Sequence, residues 1–141
     1  MDSPSSDPAS SRSSVLIVDD EPTNINILYS LLKEDYRTLV ATNGKRAVEL
    51  ARSSRPPQLI LLDIMMPEMD GYEVCKLLKE DPLTRHIPVL FTTAQNDPQE
   101  MARGFEVGAA DYIHKPICPS ILKARVNTHL LLARLLQHQP G

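Results

Sequence analysis

An α/β fold, a parallel sheet with helices on both faces, is predicted by two observations on this sequence. First, four apolar runs end in polar groups: Val15-Leu16-Ile17-Val18-Asp19-Asp20, Leu59-Ile60-Leu61-Leu62-Asp63, Val89-Leu90-Phe91-Thr92-Thr93 and Tyr112-Ile113-His114-Lys115-Pro116. Apolar runs without polar alternation read as strands buried on both faces. Second, segments of helical period lie between the runs, and strands joined through helices follow right-handed crossovers that place helices on both sides of the sheet. Ligands of such open sheets sit outside the carboxyl ends of the strands. The acids, hydroxyls and lysine that close the four runs are therefore expected along one edge.

In chain order, the strand 15–20 is followed by a helix over 22–34, opened by Pro22 near its first turn and carrying Ile25, Leu28, Leu31 and Leu32 at helical spacing. The short stretch 37–41, Arg-Thr-Leu-Val-Ala, supplies a further strand. Ala47, Val48 and Ala51 mark a helix over 44–53 before the strand 59–63. A helix over 71–80 carries Val74, Leu77 and Leu78, with Gly71 expected to reset the backbone ahead of it. The strand 89–93 leads to a helix over 97–107, started by Asp97-Pro98 and carrying Met101 and Phe105. After the strand 112–116, a terminal helix over 119–137 carries Ile121, Leu122, Val126, Leu130, Leu131 and Leu135, more apolar surface than one small sheet needs to cover it.

At 141 residues, 42% of them hydrophobic, the chain is sized for one core. The net charge of −3, with no basic stripe interleaved with aromatics, gives no argument for direct nucleic-acid binding. Residues 1–13 are nearly all small and polar and read as a flexible tail without the apolar stretch of a signal peptide. One domain is expected over 14–137, with 138–141 the end or the start of a linker. No run is long enough to cross a bilayer, and Cys75 and Cys118 fit neither a disulfide framework nor a metal spacing, so a cytosolic location is expected.

Asp19 and Asp20 close the first strand and Asp63 the third, so three carboxylates are expected to converge. Such a cluster is tolerable only where a cation or a raised pKa relieves the repulsion. Oxygen-only ligands favour a hard cation, Mg²⁺ (or Mn²⁺), which takes one or two carboxylates plus a carbonyl and keeps several waters. Lys115 and Thr93 offer a cation and a hydroxyl beside Asp63. A carboxylate so placed is able to attack phosphorus and form an acyl phosphate, a transfer that needs mainly positioning and charge neutralisation.

Four motifs in order, Val18-Asp19-Asp20-Glu21, the stretch from Leu62 through Asp63, Met65, Pro67 and Asp70 to Gly71, Thr93-Ala94, and Gly108-Ala109-Ala110-Asp111-Tyr112 leading to Lys115-Pro116, resemble the response-regulator receiver family over about residues 14–136. The resemblance implies a flavodoxin-like sheet of order 2-1-3-4-5 and a cis Lys115-Pro116 bond. It implies that Asp63 is the phosphoacceptor, that Asp20, Asp63 and the backbone carbonyl of Met65 hold Mg²⁺ with Asp19 acting through water, and that Lys115 binds a phosphoryl oxygen. Thr93 would swing toward the phosphoryl group and Tyr112 rotate inward, changing the face of the fourth helix, fifth strand and fifth helix. The implied partner is a histidine kinase or phosphotransfer protein.

Met65 is apolar and cannot activate water, so slow loss of the phosphoryl group is expected. An acid at that position would have suggested a haloacid-dehalogenase-type phosphohydrolase instead. Asp111 and Arg125 match a pair that forms salt bridges across the dimer in receivers of DNA-binding regulators, so a homodimer on phosphorylation is expected, although Ile121 stands where an acid is usual. The terminal helix is similar to those of receivers that precede HD-GYP phosphodiesterase or cyclase domains. A regulatory domain of a cyclic-di-GMP enzyme is therefore one alternative, and a phosphorylation-independent binding module is another. His129 and His138 are read as surface residues rather than phosphorelay histidines.

Overall fold

The computed structural model describes residues 12–137. Its elements are β1 (Ser14–Val18), α1 (Pro22–Leu32), β2 (Arg37–Ala41), α2 (Gly44–Ala51), β3 (Leu59–Asp63), α3 (Gly71–Glu80), β4 (Val89–Thr93), α4 (Pro98–Glu106), β5 (Asp111–His114) and α5 (Pro119–Gln137). All five strands pair in parallel in the order β2-β1-β3-β4-β5. Most of the expected tail, 1–11, and the terminal stretch 138–141 with His138 lie outside the described residues. Within the described part, the Ser13 carbonyl accepts from the Arg37 N–H at 2.9 Å, in line with the β1–β2 ladder.

Successive strand residues point to opposite faces, and both faces here are roofed, which is why the runs are continuously apolar. Leu16, Val18, Ile60, Leu62, Val89 and Phe91 pack with Ala47, Val48, Val74, Cys75 and Leu78 from α2 and α3. Val15, Ile17, Leu59, Leu61, Leu90 and Ile113 pack with Leu28 and Leu32 of α1 and Leu122, Val126 and Leu130 of α5.

The strand ends differ from the sequence reading by one or two residues, each for a local reason. β1 stops at Val18: the Asp19 N–H still donates to the Ala41 carbonyl, but the Asp19 carboxylate then takes the Glu21 N–H at 2.9 Å and Pro22 opens α1. β5 begins at Asp111 and stops at His114, because Pro116 has no N–H to extend the ladder; the Lys115-Pro116 bond is cis. α1 ends at Leu32, whose carbonyl accepts from both Asp35 and Tyr36 in the turn to β2.

α3 begins with a reciprocal cap: the Asp70 carboxylate accepts from the Glu73 N–H at 2.9 Å, and the Glu73 carboxylate accepts from the Asp70 N–H at 3.1 Å. Such a cap contributes about 1 kcal/mol. Gly71 has a different role from the one expected. A Cβ there would sit 2.6 Å from the Asp63 carbonyl oxygen and 2.8 Å from Ile64 Cα. The glycine lets the start of α3 lie directly against the end of β3, and its N–H donates to the Ile64 carbonyl at 2.9 Å. The backbone that carries Asp63 is thereby fixed.

Candidate functional site

Asp19, Asp20 and Asp63 meet at the carboxyl ends of β1 and β3, with one oxygen from each within 4.8 Å of the others. Adjacent strands in parallel register enforce this meeting. Asp19 is fully buried, Asp63 is 4% exposed, and Asp20 faces solvent. Lys115, from the end of β5, reaches across with Nζ 3.3 Å from Asp63 Oδ1 and 3.5 Å from Asp19 Oδ2.

One cation does not satisfy this much negative charge. Burial and then the neighbouring Asp19 carboxylate push the Asp63 carboxyl up to about 6, against the opposing pull of Lys115 and the Met65 N–H. Asp19 Oδ1 accepts from the Glu21 N–H, whereas Oδ2, although within ion-pair range of Lys115, has no hydrogen-bond partner. A buried carboxylate oxygen without a hydrogen bond, in an all-oxygen donor set, fits a hard divalent cation. Asp20, Asp63 and the Met65 carbonyl are the residues that would hold it, with Asp19 behind them.

These groups open onto a cleft of about 300 Å³ lined by Asp20, Glu21, Asn24, Asp63, Met65, Ala94 and Lys115. The Met65 side chain is 65% exposed at its rim. Thr93 stands at the carboxyl end of β4, beside the Thr92 that pairs with Asp63 in register. It is buried, and its hydroxyl oxygen accepts from the Gln95 N–H at 3.0 Å.

Tyr112 lies inward, 2% exposed, with its hydroxyl donating to the Met101 carbonyl at 2.8 Å. Its ring meets Phe91 and Phe105 at centroid distances of 5.6 and 5.2 Å. Sequence reasoning missed the residue that admits this ring: a Cβ on Gly104 would sit 1.8 Å from the Tyr112 hydroxyl oxygen. A glycine inside an otherwise helical pattern was the available signal.

Asp111 and Arg125 are paired within the chain. Arg125 Nε lies 3.9 Å from Asp111 Oδ2, and its Nη1 donates to the Tyr112 carbonyl. His129 Nε2 lies 2.9 Å from the same Asp111 oxygen, so this histidine is a partly buried member of a cluster rather than a free surface residue.

Residues 15–127 match the family described as the response regulator receiver domain. The chain is 48% identical over 120 residues to a probable cyclic di-GMP phosphodiesterase of Vibrio cholerae, covering 85% of this chain and 27% of that protein. It is 44% identical over 115 residues to the response regulator PleD of Caulobacter vibrioides, covering 81% and 25%. It thus spans about a quarter of the length of these relatives. Among solved structures, a putative response regulator from Chloroflexus aurantiacus superposes with a TM-score of 0.81 at 36% identity, covering 85% of this chain and 98% of that one. The signal receiver domain of a histidine kinase from Syntrophus aciditrophicus gives 0.78 at 38% identity, covering 92% and 96%. Motif, strand order and these likenesses agree: the chain belongs to the response-regulator receiver family of two-component systems.

Proposed function

We propose that this receiver is a phosphoacceptor switch in which a histidine kinase or phosphotransfer protein donates a phosphoryl group to Asp63. The observation that carries the reading is the buried Asp63 carboxylate, 3.3 Å from Lys115 and beside an Asp19 oxygen that lacks a hydrogen bond. An Asp63 oxygen attacks phosphorus, an O–P bond forms, and the N–P bond to the donor histidine breaks, its electron pair returning to the imidazole. With a carboxyl held near 6, Asp63 is mostly the ionised nucleophile at neutral pH. Bound Mg²⁺ would neutralise charge on the transferring oxygens. Lys115 holds one oxygen of the product, and Thr93, released from the Gln95 N–H, donates its hydroxyl to another.

Tyr112, expected to rotate inward on phosphorylation, already lies inward with its hydroxyl on the Met101 carbonyl, and its ring packs against Gly104 at the face of α4, β5 and α5 that would respond to the movement of Thr93. Apolar Met65 at the rim positions no water, so slow loss of the phosphoryl group is expected without a phosphatase. Decay within seconds would contradict that role.

Incubation with acetyl phosphate and Mg²⁺ followed by intact mass tests the assignment. One added phosphoryl group is expected on the native chain and none on Asp63→Asn; no addition, or one that persists in the variant, overturns it. A second reading, a regulatory receiver attached to a cyclic-di-GMP phosphodiesterase or cyclase, is favoured by the 48% identity to a segment of the Vibrio protein. The site residues would be the same in either setting.

A further inference from the structure

We propose that Tyr72 is a latch that ties α4 directly to the segment carrying Asp63, by a route that bypasses Thr93 and Tyr112. α4 has little apolar burial to hold it. α3 buries Tyr72, Val74, Cys75 and Leu78, whereas the buried residue of α4 is Gly104, which has no side chain to pack, and Phe105 leaves 49% of its surface in solvent. An element with so few buried apolar contacts opens at small free-energy cost, so single hydrogen bonds decide where it sits. A cleft of about 480 Å³ runs along it, lined by Met65 and Pro67 from the loop after Asp63 and by Gln95 and Arg103 from α4 and the loop before it.

Tyr72 and Glu100 bridge that cleft. The Tyr72 hydroxyl lies 3.1 Å from the Glu100 carbonyl oxygen and 3.3 Å from its carboxylate. The Tyr72 ring meets Phe91 edge-on at a centroid distance of 5.4 Å, and the Arg103 guanidinium of α4 lies 4.1 Å over its face. The backbone of Tyr72 is set by Gly71, which lies against the Asp63 carbonyl, and by the Asp70–Glu73 cap. Tyr72 therefore moves with Asp63, and Glu100 moves with α4. From the other side of Phe91 the Tyr112 hydroxyl reaches the same turn, 2.8 Å from the Met101 carbonyl and 3.2 Å from that of Glu100. Each hydroxyl has one proton to give, and two adjacent carbonyls serve the pair: Tyr112 donates to Met101 and Tyr72 to Glu100. α4 stays seated while either bond holds. A change in the loop after Asp63 reaches α4 through Tyr72 even with Tyr112 fixed inward. That coupling rests on the phosphoacceptor reading of Asp63; the seating of α4 does not.

Tyr72→Phe keeps the ring against Phe91 and beneath Arg103 and removes only the hydroxyl. Amide hydrogen exchange at residues 102–106 of the unphosphorylated chain should speed up roughly two- to tenfold in Tyr72→Phe and in Tyr112→Phe. In the double variant it should rise by more than the product of the two, because the last bond is then gone. The amides of Val74 and Leu78 in α3 should exchange as in the native chain. Acetyl phosphate with Mg²⁺ should alter exchange in α4 of the native chain, whereas Tyr72→Phe should take up the same phosphoryl mass yet show a clearly smaller change there. Native exchange in Tyr72→Phe, a double variant no faster than the product of the singles, or a full α4 response at equal phosphoryl mass overturns the proposal. A native chain that gains no phosphoryl mass refutes the phosphoacceptor reading instead, and exchange in the unphosphorylated variants then still decides whether Tyr72 holds α4.

Discussion

Asp63, at the carboxyl end of β3, and Asp111, at the amino end of β5, each face a basic side chain, but their surroundings are opposite. Asp111 is about a third exposed, and both of its oxygens are served: Oδ1 by the Tyr112 N–H at 2.8 Å, Oδ2 by His129 and Arg125. Asp63 is buried, shares Lys115 with a second buried carboxylate, and has its carboxyl pushed up to about 6. The Asp111 cluster is complete as it stands and ties α5 to β5. The Asp63 cluster is short of positive charge, and a folded chain keeps such a deficit where a ligand removes it.

Breaking the deficient cluster should have the larger effects. Lys115→Met leaves Asp19 and Asp63 buried without their cation, and without added metal near neutral pH it should cost on the order of 3 kcal/mol in denaturant unfolding. Asp63→Asn removes the repelling charge and should do the reverse, stabilising the metal-free protein by on the order of 2 kcal/mol near neutral pH. The sign follows from a folded carboxyl at about 6 against an ordinary 3.8. Asp63 favours the folded state fully only below the ordinary value, and that contribution is lost as the pH rises through about 6. The gain from Asp63→Asn should therefore vanish near pH 4, and a gain independent of pH would show that burial of the charge is not its cause. His129→Ala, in the satisfied and partly exposed cluster, should cost only about 0.5–1 kcal/mol. A loss as large as that of Lys115→Met would erase the contrast.

The contrast was half legible in the sequence. Strands buried on both faces leave unmistakable apolar runs, and parallel order alone brings Asp19, Asp20 and Asp63 to one edge. Strand ends were less legible because they depend on single hydrogen bonds, such as the Asp19 carboxylate taking the Glu21 N–H. The roles of Gly71 and Gly104 were hidden, since each is a close approach between segments far apart in the chain. The Asp111 cluster was seen only in part: Arg125 was singled out, but His129 joins it through the seating of α5 on β5. The surplus of leucines on α5 was visible from the start, and only the packing shows which of them face outward.

Thermal unfolding with and without Mg²⁺, at about pH 7.5 and about pH 4.5, tests most directly whether the Asp63 cluster is an unsatisfied ligand site. Mg²⁺ should raise the midpoint of the native chain clearly at the higher pH and little at the lower, where Asp63 is protonated, and should raise that of Asp63→Asn much less. An equal rise at both pH values, or an undiminished rise in Asp63→Asn, would contradict the account.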